Sequence, residues 1–367
     1  MTNRRDKLDA DAPVGAGDAR FMERALDEAE RGLGRTNPNP MVGAVVVRDG
    51  VEVASGHHQR AGGAHAEVHA LERAGALAKD ADLYVTLEPC STTGRTPPCT
   101  EAIVRAGIRR VFVGCLDANP NHAGAGVSLL RRRQIEVHVG LLEARCRRLN
   151  EAFFHWITTG RTFVVLKMAM TLDGRIATAD GVSQWITGTE ARAEVQQLRK
   201  AADAIMVGGE TARLDNPGLK VRVPANWPRQ PERFVWTRRP QKEFPAELNV
   251  RQTEDGVPAR FVDPRGPDQW REFLAGLGAE QKTVLLVEGG GELAAELLNS
   301  GAVDKLVWFV APKILGGSGS RPAVGGPDPQ RLEECIDVHS LEVSFCGRDM
   351  KLVGYPVGRG KLPETNE

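Results

Sequence analysis

The chain has 367 residues, enough for two ordinary domains with full cores. Its 48 basic and 48 acidic side chains cancel, so no overall charge draws it to nucleic acid or to an anionic membrane. No apolar run reaches the length of a membrane span, and six cysteines in a chain this long do not make a disulfide framework. The N-terminal MTNRRDKLDADAPVGAGDA is polar, lacks the apolar middle of a signal peptide and reads as a disordered tail. A cytoplasmic location follows, with Cys115, Cys146, Cys335 and Cys346 read as packing cysteines.

In chain order, Phe21, Met22, Ala25, Leu26 and Ala29 form a helical stripe that Gly32 and Gly34 end. TNPNPMVGAVVVRDGVEVASGHHQR then predicts two strands turning at Asp49-Gly50. Asn37 and Asn39 lie between prolines just before the first strand. They are either turn residues or amides that hydrogen-bond a substrate, and the residues alone leave the two readings even.

Next come GAHAEVHAL and TLEPCSTTGRTPPCTEAI. His65 and Glu67 open a helix; Cys90 ends a strand; Cys99 starts another helical segment. One imidazole and two thiolates leave the fourth position of a tetrahedral zinc free for water, the catalytic rather than the structural arrangement. Glu67, not itself a ligand, is placed to move protons between that water and a substrate nitrogen. His-x-Glu followed by Pro-Cys is the zinc deaminase signature. The alternatives are two unrelated buried cysteines or a closed structural site with His69 as fourth ligand. Glu67 and both Pro-Cys contexts favour the catalytic site, with His69 a solvated helix residue.

Eight residues separate the two cysteines, where the general signature is C-x-x-C. This insert resembles the deaminase half of the bacterial bifunctional riboflavin biosynthesis deaminase/reductase family, whose hallmark is PC-S-x-x-GRTPPC. The family usually carries a histidine straight after PCS, where this chain has Thr92 and Thr93, so that substrate contact is absent or replaced by a hydroxyl. The family's HPNPxVGAV segment favours Asn39 as a substrate contact. IRRVFVGCLD predicts a further strand, followed by a loop and a helix whose Arg131 to Arg133 read as its solvated end. In that loop Asp117, Asn119 and Gly124 to Gly126 match the family's DPNPxVxGxG, which the resemblance places near the ribose phosphate. The alternative on composition is a plain Gly/Asn-rich connection with no ligand. Alternating strands and helices make an α/β sandwich.

The pattern changes around Glu151 to Arg161, where we place the domain join. FVVLKMAM predicts a buried strand, Asp173-Gly174 a turn, ARAEVQQLRKAA a helix, DAIMVGG a strand and ETARLDNPGLKVR a polar turn. PERFVWT is a strand within a Pro-rich stretch of variable loops from Pro224 to about Pro267. VLLVEGGGELAAELL runs an apolar strand through three glycines into a helix, an arrangement that lets backbone N–H groups cradle a phosphate. An ordinary tight connection would look the same. LKMAMTLDGRIA, SQWITG, VGGETARLDNPGLKVR and EGGGELAAELL occur in the order found in the reductase half of the same family. The resemblance thus runs from about Asp18 to about Gly358.

The resemblance implies an α/β protein with a cytidine-deaminase-like α/β/α sandwich followed by a dihydrofolate-reductase-like α/β domain. The expected divisions are a tail at 1–17, a zinc deaminase domain at 18–158, a reductase domain at 159–358 and a tail at 359–367. It implies Zn2+ held by His65, Cys90 and Cys99, with Glu67 catalytic. It also implies NADPH at Ala169, Trp185, Thr211, Asp215, Gly290, Gly291 and Glu292. Asn39, Ser183, Arg199, Leu219, Arg222 and Glu288 would hold a phosphoribosyl pyrimidine. Arg199 and Arg222 could otherwise be surface charges, Asp215 a turn residue and Trp185 core. Deamination of the pyrimidine would precede hydride transfer that turns its ribosyl group into ribityl. Homo-oligomers are expected, with no nucleic-acid or membrane partner. Two rivals remain: a zinc deaminase with a non-catalytic second half, and a nucleic-acid base deaminase, which would need a basic track or stacking aromatics.

Overall fold

The computed structural model describes residues 16–93, 97–119, 123–252 and 258–357. Most of the expected N-terminal tail, the C-terminal tail and Gly94 to Thr96 of the cysteine insert lie outside the described residues. The chain divides into two compact units, the first ending at Thr159 and the second beginning at Gly160.

The first unit contains α1 (Ala16–Glu30), β1 (Gly43–Arg48), β2 (Val51–His57), α2 (Ala66–Ala74), β3 (Asp82–Leu87) and α3 (Cys99–Ala106). It continues through β4 (Arg110–Cys115), α4 (Ala125–Arg132), β5 (Glu136–Val139), α5 (Glu143–Leu149) and α6 (Glu151–Thr159). The sheet order is β2-β1-β3-β4-β5, with β3, β4 and β5 parallel and β1 antiparallel to both neighbours. Side chains alternate across a strand, so a strand covered on both faces reads as a continuous apolar run. Along β1, Ala44 and Val46 face a core that α2, α3 and α4 supply with Ala70, Ile103 and Leu130. Val45 and Val47 face the opposite core, where Met22 and Leu26 of α1 and Cys146 of α5 pack. Asp49 and Gly50 turn the β1–β2 hairpin with φ of 52° and 75°, the left-handed pair that a tight hairpin requires. Arg131 departs from the solvated helix end expected for it, because its guanidinium bonds the Val137 carbonyl at 2.8 Å and ties α4 to β5.

The second unit contains β6 (Phe163–Thr171), β7 (Arg175–Ala177), α7 (Thr189–Ala201), β8 (Ala204–Gly208), α8 (Gly209–Leu214), β9 (Glu232–Trp236) and β10 (Arg260–Val262). It ends with α9 (Gly266–Ala279), β11 (Val284–Glu288), α10 (Gly291–Asn299), β12 (Lys305–Ala311), β13 (Arg321–Pro322), β14 (Val338–Cys346) and β15 (Asp349–Pro356). Its main sheet runs β10-β9-β8-β11-β6-β12-β15-β14. The first six strands of that order are parallel, and β15 and β14 are added antiparallel. Trp270, Leu274 and Leu277 of α9 and Leu293 and Leu297 of α10 pack on Leu166, Met206, Phe234 and Val287.

Three expectations change here. The segment read as a polar turn, ETARLDNPGLKVR, begins as the short helix α8, because Ala212 is fully buried and anchors one apolar face. The Pro-rich stretch holds the expected PERFVWT strand as β9, but the rest of it is more than variable loop: it adds β10, and Phe244, Leu248 and Val250 are buried. Cys115 and Cys146 are buried packing residues, but Cys335 is exposed and Cys346 only partly covered. Among the described residues no helix is long and apolar enough to cross a membrane.

Candidate deaminase and reductase sites

The first site sits at the carboxyl end of β3, where open α/β sheets place their ligands. His65 is the residue preceding α2, and Cys99 is the first residue of α3. Cys90 lies on the turn between β3 and α3. His65 Nδ1 is 3.1 Å from Cys99 Sγ and 3.5 Å from Cys90 Sγ, and the three donor atoms lie within 4.8 Å of one another. Zn–S bonds of about 2.3 Å and Zn–N bonds of about 2.0 Å at tetrahedral angles put ligand atoms about 3.5–3.8 Å apart. A zinc ion therefore fits this donor set. His69 is not part of the cluster, which rules out the closed site among the described residues.

The electrostatics agree. The two thiols share a proton: the hydrogen bond from Cys99 holds Cys90 well below the ordinary thiol range, while Cys99 is pushed up. The Cys99 backbone N–H also donates to Cys90 Sγ at 3.2 Å. A cation bound by both sulfurs releases that proton. Glu67 is 3% exposed, and burial pushes its carboxyl up to about 7 against the pull of His65. His65 and both thiols act on its charge, which places the carboxyl beside the cage. A carboxyl of this kind can hold and release a proton near neutrality.

Asn39 is brought to the same place. Its Nδ2 donates to His58 Nε2 at 3.1 Å, and His58 Nδ1–H donates to the Ala64 carbonyl at 3.0 Å, next to His65. Burial lowers the His58 pKa, in keeping with a neutral ring. His58 was missed in the sequence, where it is only the second of a histidine pair at the end of β2. Thr92 and Thr93 are exposed.

In the second unit the expected residues gather at the carboxyl ends of β6, β8 and β11. The β11–α10 turn has φ of 80° at Gly289 and 95° at Gly290, a conformation that favours glycine. A Cβ at Gly290 would lie 3.3 Å from the Thr211 hydroxyl, so Thr211 on α8 borders this turn. Asp215 caps the end of α8 and accepts the Ser183 hydroxyl at 2.6 Å. Gly291 opens α10, and Glu292 follows it, its Oε1 lying 2.5 Å from where a Cβ at Gly325 would stand. Ala169 is half-buried on β6 and pairs with Phe309.

Trp185 is 62% exposed, not core, with the Arg192 guanidinium 4.8 Å from its ring centre. It lines a pocket of about 200 Å³ with Ser183, Thr171 and Lys313. Arg199 is neither a surface charge nor an open fork. Its Nε and Nη2 grip both oxygens of Glu288 at 2.6 and 3.0 Å, and Nη1 bonds the Lys220 carbonyl. Burial alone would push Glu288 up, but Arg199 and Lys167 hold it below the usual carboxylate range. Leu219 is buried at a φ of 50°, so its main chain is what a ligand could reach. Arg222 is exposed and adds to the positive charge acting on Glu288.

A family model described as the RibD C-terminal domain matches residues 162–352. A second, the cytidine and deoxycytidylate deaminase zinc-binding region, matches residues 16–115, which hold the whole cage. The riboflavin biosynthesis protein RibD of Aquifex aeolicus is 42% identical, covering 91% of this chain and 97% of that protein. The RibD of Escherichia coli is 39% identical over 91% of this chain and 98% of its own. The chain belongs to the RibD family. Among solved structures, form 1 of Acinetobacter baumannii RibD aligns with a TM-score of 0.82 and 36% identity, covering 93% of this chain and 99% of that one. The Thermotoga maritima diaminohydroxyphosphoribosylaminopyrimidine deaminase/5-amino-6-(5-phosphoribosylamino)uracil reductase aligns at 0.80 with 34% identity and the same coverage.

As a RibD-family chain this is a bifunctional deaminase and reductase of riboflavin biosynthesis, with a zinc-binding deaminase domain and a reductase domain that implies a nicotinamide cofactor. Against that background Lys167 stands out as a residue not singled out in the sequence. It is the one charge in FVVLKMAM, and its Nζ lies 3.9 Å from Glu288 Oε2. Burial lowers its pKa. A lysine inside an otherwise apolar strand was the available signal.

Proposed function

We propose that the chain deaminates 2,5-diamino-6-(5-phosphoribosylamino)pyrimidin-4-one and then reduces its ribosyl group to ribityl with NADPH. The observation that carries the first step is the convergence of His65, Cys90 and Cys99 with the buried Glu67 beside them. Zinc held by these three residues supplies a nucleophile at neutral pH, because it lowers the pKa of water to about 7. Glu67 takes the proton of the attacking water as oxygen bonds to the amino-bearing carbon of the pyrimidine. It then returns that proton to the departing ammonia, acting as base and then as acid. Asn39, oriented by His58, hydrogen-bonds the ring.

NADPH supplies hydride to the ribose C1 of the opened sugar. The Gly289–Gly291 turn and the start of α10 offer backbone N–H groups to a cofactor phosphate, with Thr211 and the Ser183–Asp215 pair beside them. Trp185 and Ala169 complete the cofactor side, and Glu292 follows the glycine turn. Arg199, Lys167 and Glu288 form a charged floor for the substrate, with Arg222 and the main chain of Leu219 at its edge. Free buried Cys115 and Cys146 suit a reducing, cytoplasmic setting. Homo-oligomer formation is supported by β14, an outermost strand with Leu341, Val343 and Phe345 exposed.

The test is zinc content and deamination for wild type and Glu67→Ala. We expect one zinc per chain in both, with deamination reduced at least about a thousandfold in the variant. Full activity in the variant would sink the mechanism, and loss of zinc would make Glu67 part of the cage.

A further inference from the structure

Asn150 is the single residue between α5 and α6, is 3% exposed and has no part in either reaction as described above. Its own main chain is fully engaged: the N–H donates to the Arg147 carbonyl at 3.1 Å, and the carbonyl accepts the Phe154 N–H at 2.9 Å. The side chain reaches back across 109 residues of sequence to Met41. Its Oδ1 accepts the Met41 N–H at 2.8 Å, and its Nδ2 donates to the Met41 carbonyl at 2.8 Å. An amide side chain carries both an acceptor and donors, so it can meet both main-chain groups of one residue, as a facing antiparallel residue does in a sheet. Leu149 before Asn150, Phe154 one turn after it and Val42 next to Met41 pack on the same apolar cluster. Hydrogen bonds in such a setting hold more firmly than in water.

Met41 follows Asn37-Pro38-Asn39-Pro40, two residues after the amide assigned to the pyrimidine. Pro38 and Pro40 have no N–H, so from Pro38 to Met41 the main chain can donate only at Asn39 and Met41. Asn39 turns its N–H back to the Thr36 carbonyl at 2.9 Å, whereas Met41 gives its own to Asn150. The ring of Pro40 fixes φ between the two, so a shift of Met41 is passed to Asn39 rather than absorbed. The other hold on this stretch is His58. Its N–H donates to the Val42 carbonyl at 2.9 Å, and its Nε2 accepts Asn39 Nδ2 at 3.1 Å. His58 fixes the direction of the Asn39 amide, and Asn150 fixes the main chain from which that amide projects.

We propose that Asn150 is a positioning residue for deamination: by gripping both main-chain groups of Met41 it holds Asn39, through the rigid Pro40, where that amide meets the pyrimidine. This rests on the reading of Asn39 given under the proposed function. Asn150 spends its acceptor and one donor on Met41 and acts only through it. Asn39 bonds the ring in ground and transition states alike, so Asn150 governs KM more than kcat.

The experiment is a double-mutant cycle in the full chain, with steady-state deamination of the phosphoribosyl pyrimidine and zinc content measured for wild type, Asn150→Ala, Asn39→Ala and the two together. For N150A the expected result is about one zinc per chain, kcat within about threefold of wild type and KM raised about tenfold. N39A should raise KM at least as much. The double variant should match N39A within about twofold, because once the Asn39 amide is gone there is nothing left for Asn150 to place. A general loosening of the first unit would instead multiply the two effects. Unchanged KM in N150A overturns the proposal, and so do effects that multiply in the double variant. If N150A loses zinc or does not fold, Asn150→Asp takes its place: it keeps the size and the acceptor, loses the donor to the Met41 carbonyl when ionised, and is judged by the same outcomes. Loss of zinc there too makes Asn150 a support of the fold and overturns the proposal. Unchanged KM in N39A sinks the reading of Asn39 and the proposal with it, and a wild-type chain that does not deaminate this substrate sinks the deaminase reading as a whole.

Discussion

The two units assemble their sites from different raw material. In the first, His65, Glu67, Cys90 and Cys99 fall within a short stretch of chain, on the first turns of two helices and the loop between them. In the second, Lys167, Arg199 and Glu288 come from β6, α7 and β11, and their ion cluster exists only because those elements pack together. A metal cage demands particular donor atoms, so it leaves a local signature. A buried ion cluster demands only that opposite charges meet where water is scarce, and many sequences achieve that. The first site is accordingly exposed to single ligand losses, and the second to loss of charge balance.

Removing the metal is the sharpest way to separate the two. Dialysis against a chelator should abolish deamination, while NADPH-dependent reduction of the deaminated compound persists. Loss of both activities together would break the comparison, because the second site would then depend on the cage.

Glu288→Gln tests the other side with a smaller effect. It leaves Arg199 and Lys167 as buried cations without their counter-charge, and removing one partner of a buried pair costs about 3–5 kcal/mol. Five of the six tryptophans, Trp185, Trp227, Trp236, Trp270 and Trp308, lie in the second unit, so denaturant unfolding followed by fluorescence reports on it. Reduction should fall about a hundredfold and deamination should stay unchanged.

The smallest effect concerns acid stability of the first unit. Burial opposes ionisation of Glu28, but hydrogen bonds from His57, Arg24 and Arg31 outweigh it and hold the carboxyl at about 2. A folded-state value below the ordinary 4.5 means the stabilisation is fully present above about pH 4.5 and is lost as pH falls through about 2. Glu28→Gln should flatten that part of an acid titration followed by circular dichroism. An unchanged slope would show that the cluster contributes nothing to stability.

Much of the fold was legible because the physics is local. The stripe of α1, the Asp49-Gly50 turn and the largely apolar runs of β3, β6 and β11 each follow from periodicity or turn chemistry. What escaped was decided by packing. The helix α8 is six residues long, too short to show a period, and holds because Ala212 is buried. Arg131 looked like any basic helix end until β5 placed a carbonyl within its reach.

By itself the sequence determined the donor set of the cage, the carboxylate beside it and the order of two α/β domains, because donor identity and hydrophobic period are written residue by residue. Only the tertiary structure decided that Arg199 is spent on Glu288, that Lys167 joins them, that His58 holds Asn39 and that Asn150 grips the main chain of Met41. Each of these is a contact between elements far apart in the chain. A charge or a hydrogen-bonding group carries no record of its partner until folding removes the water between them.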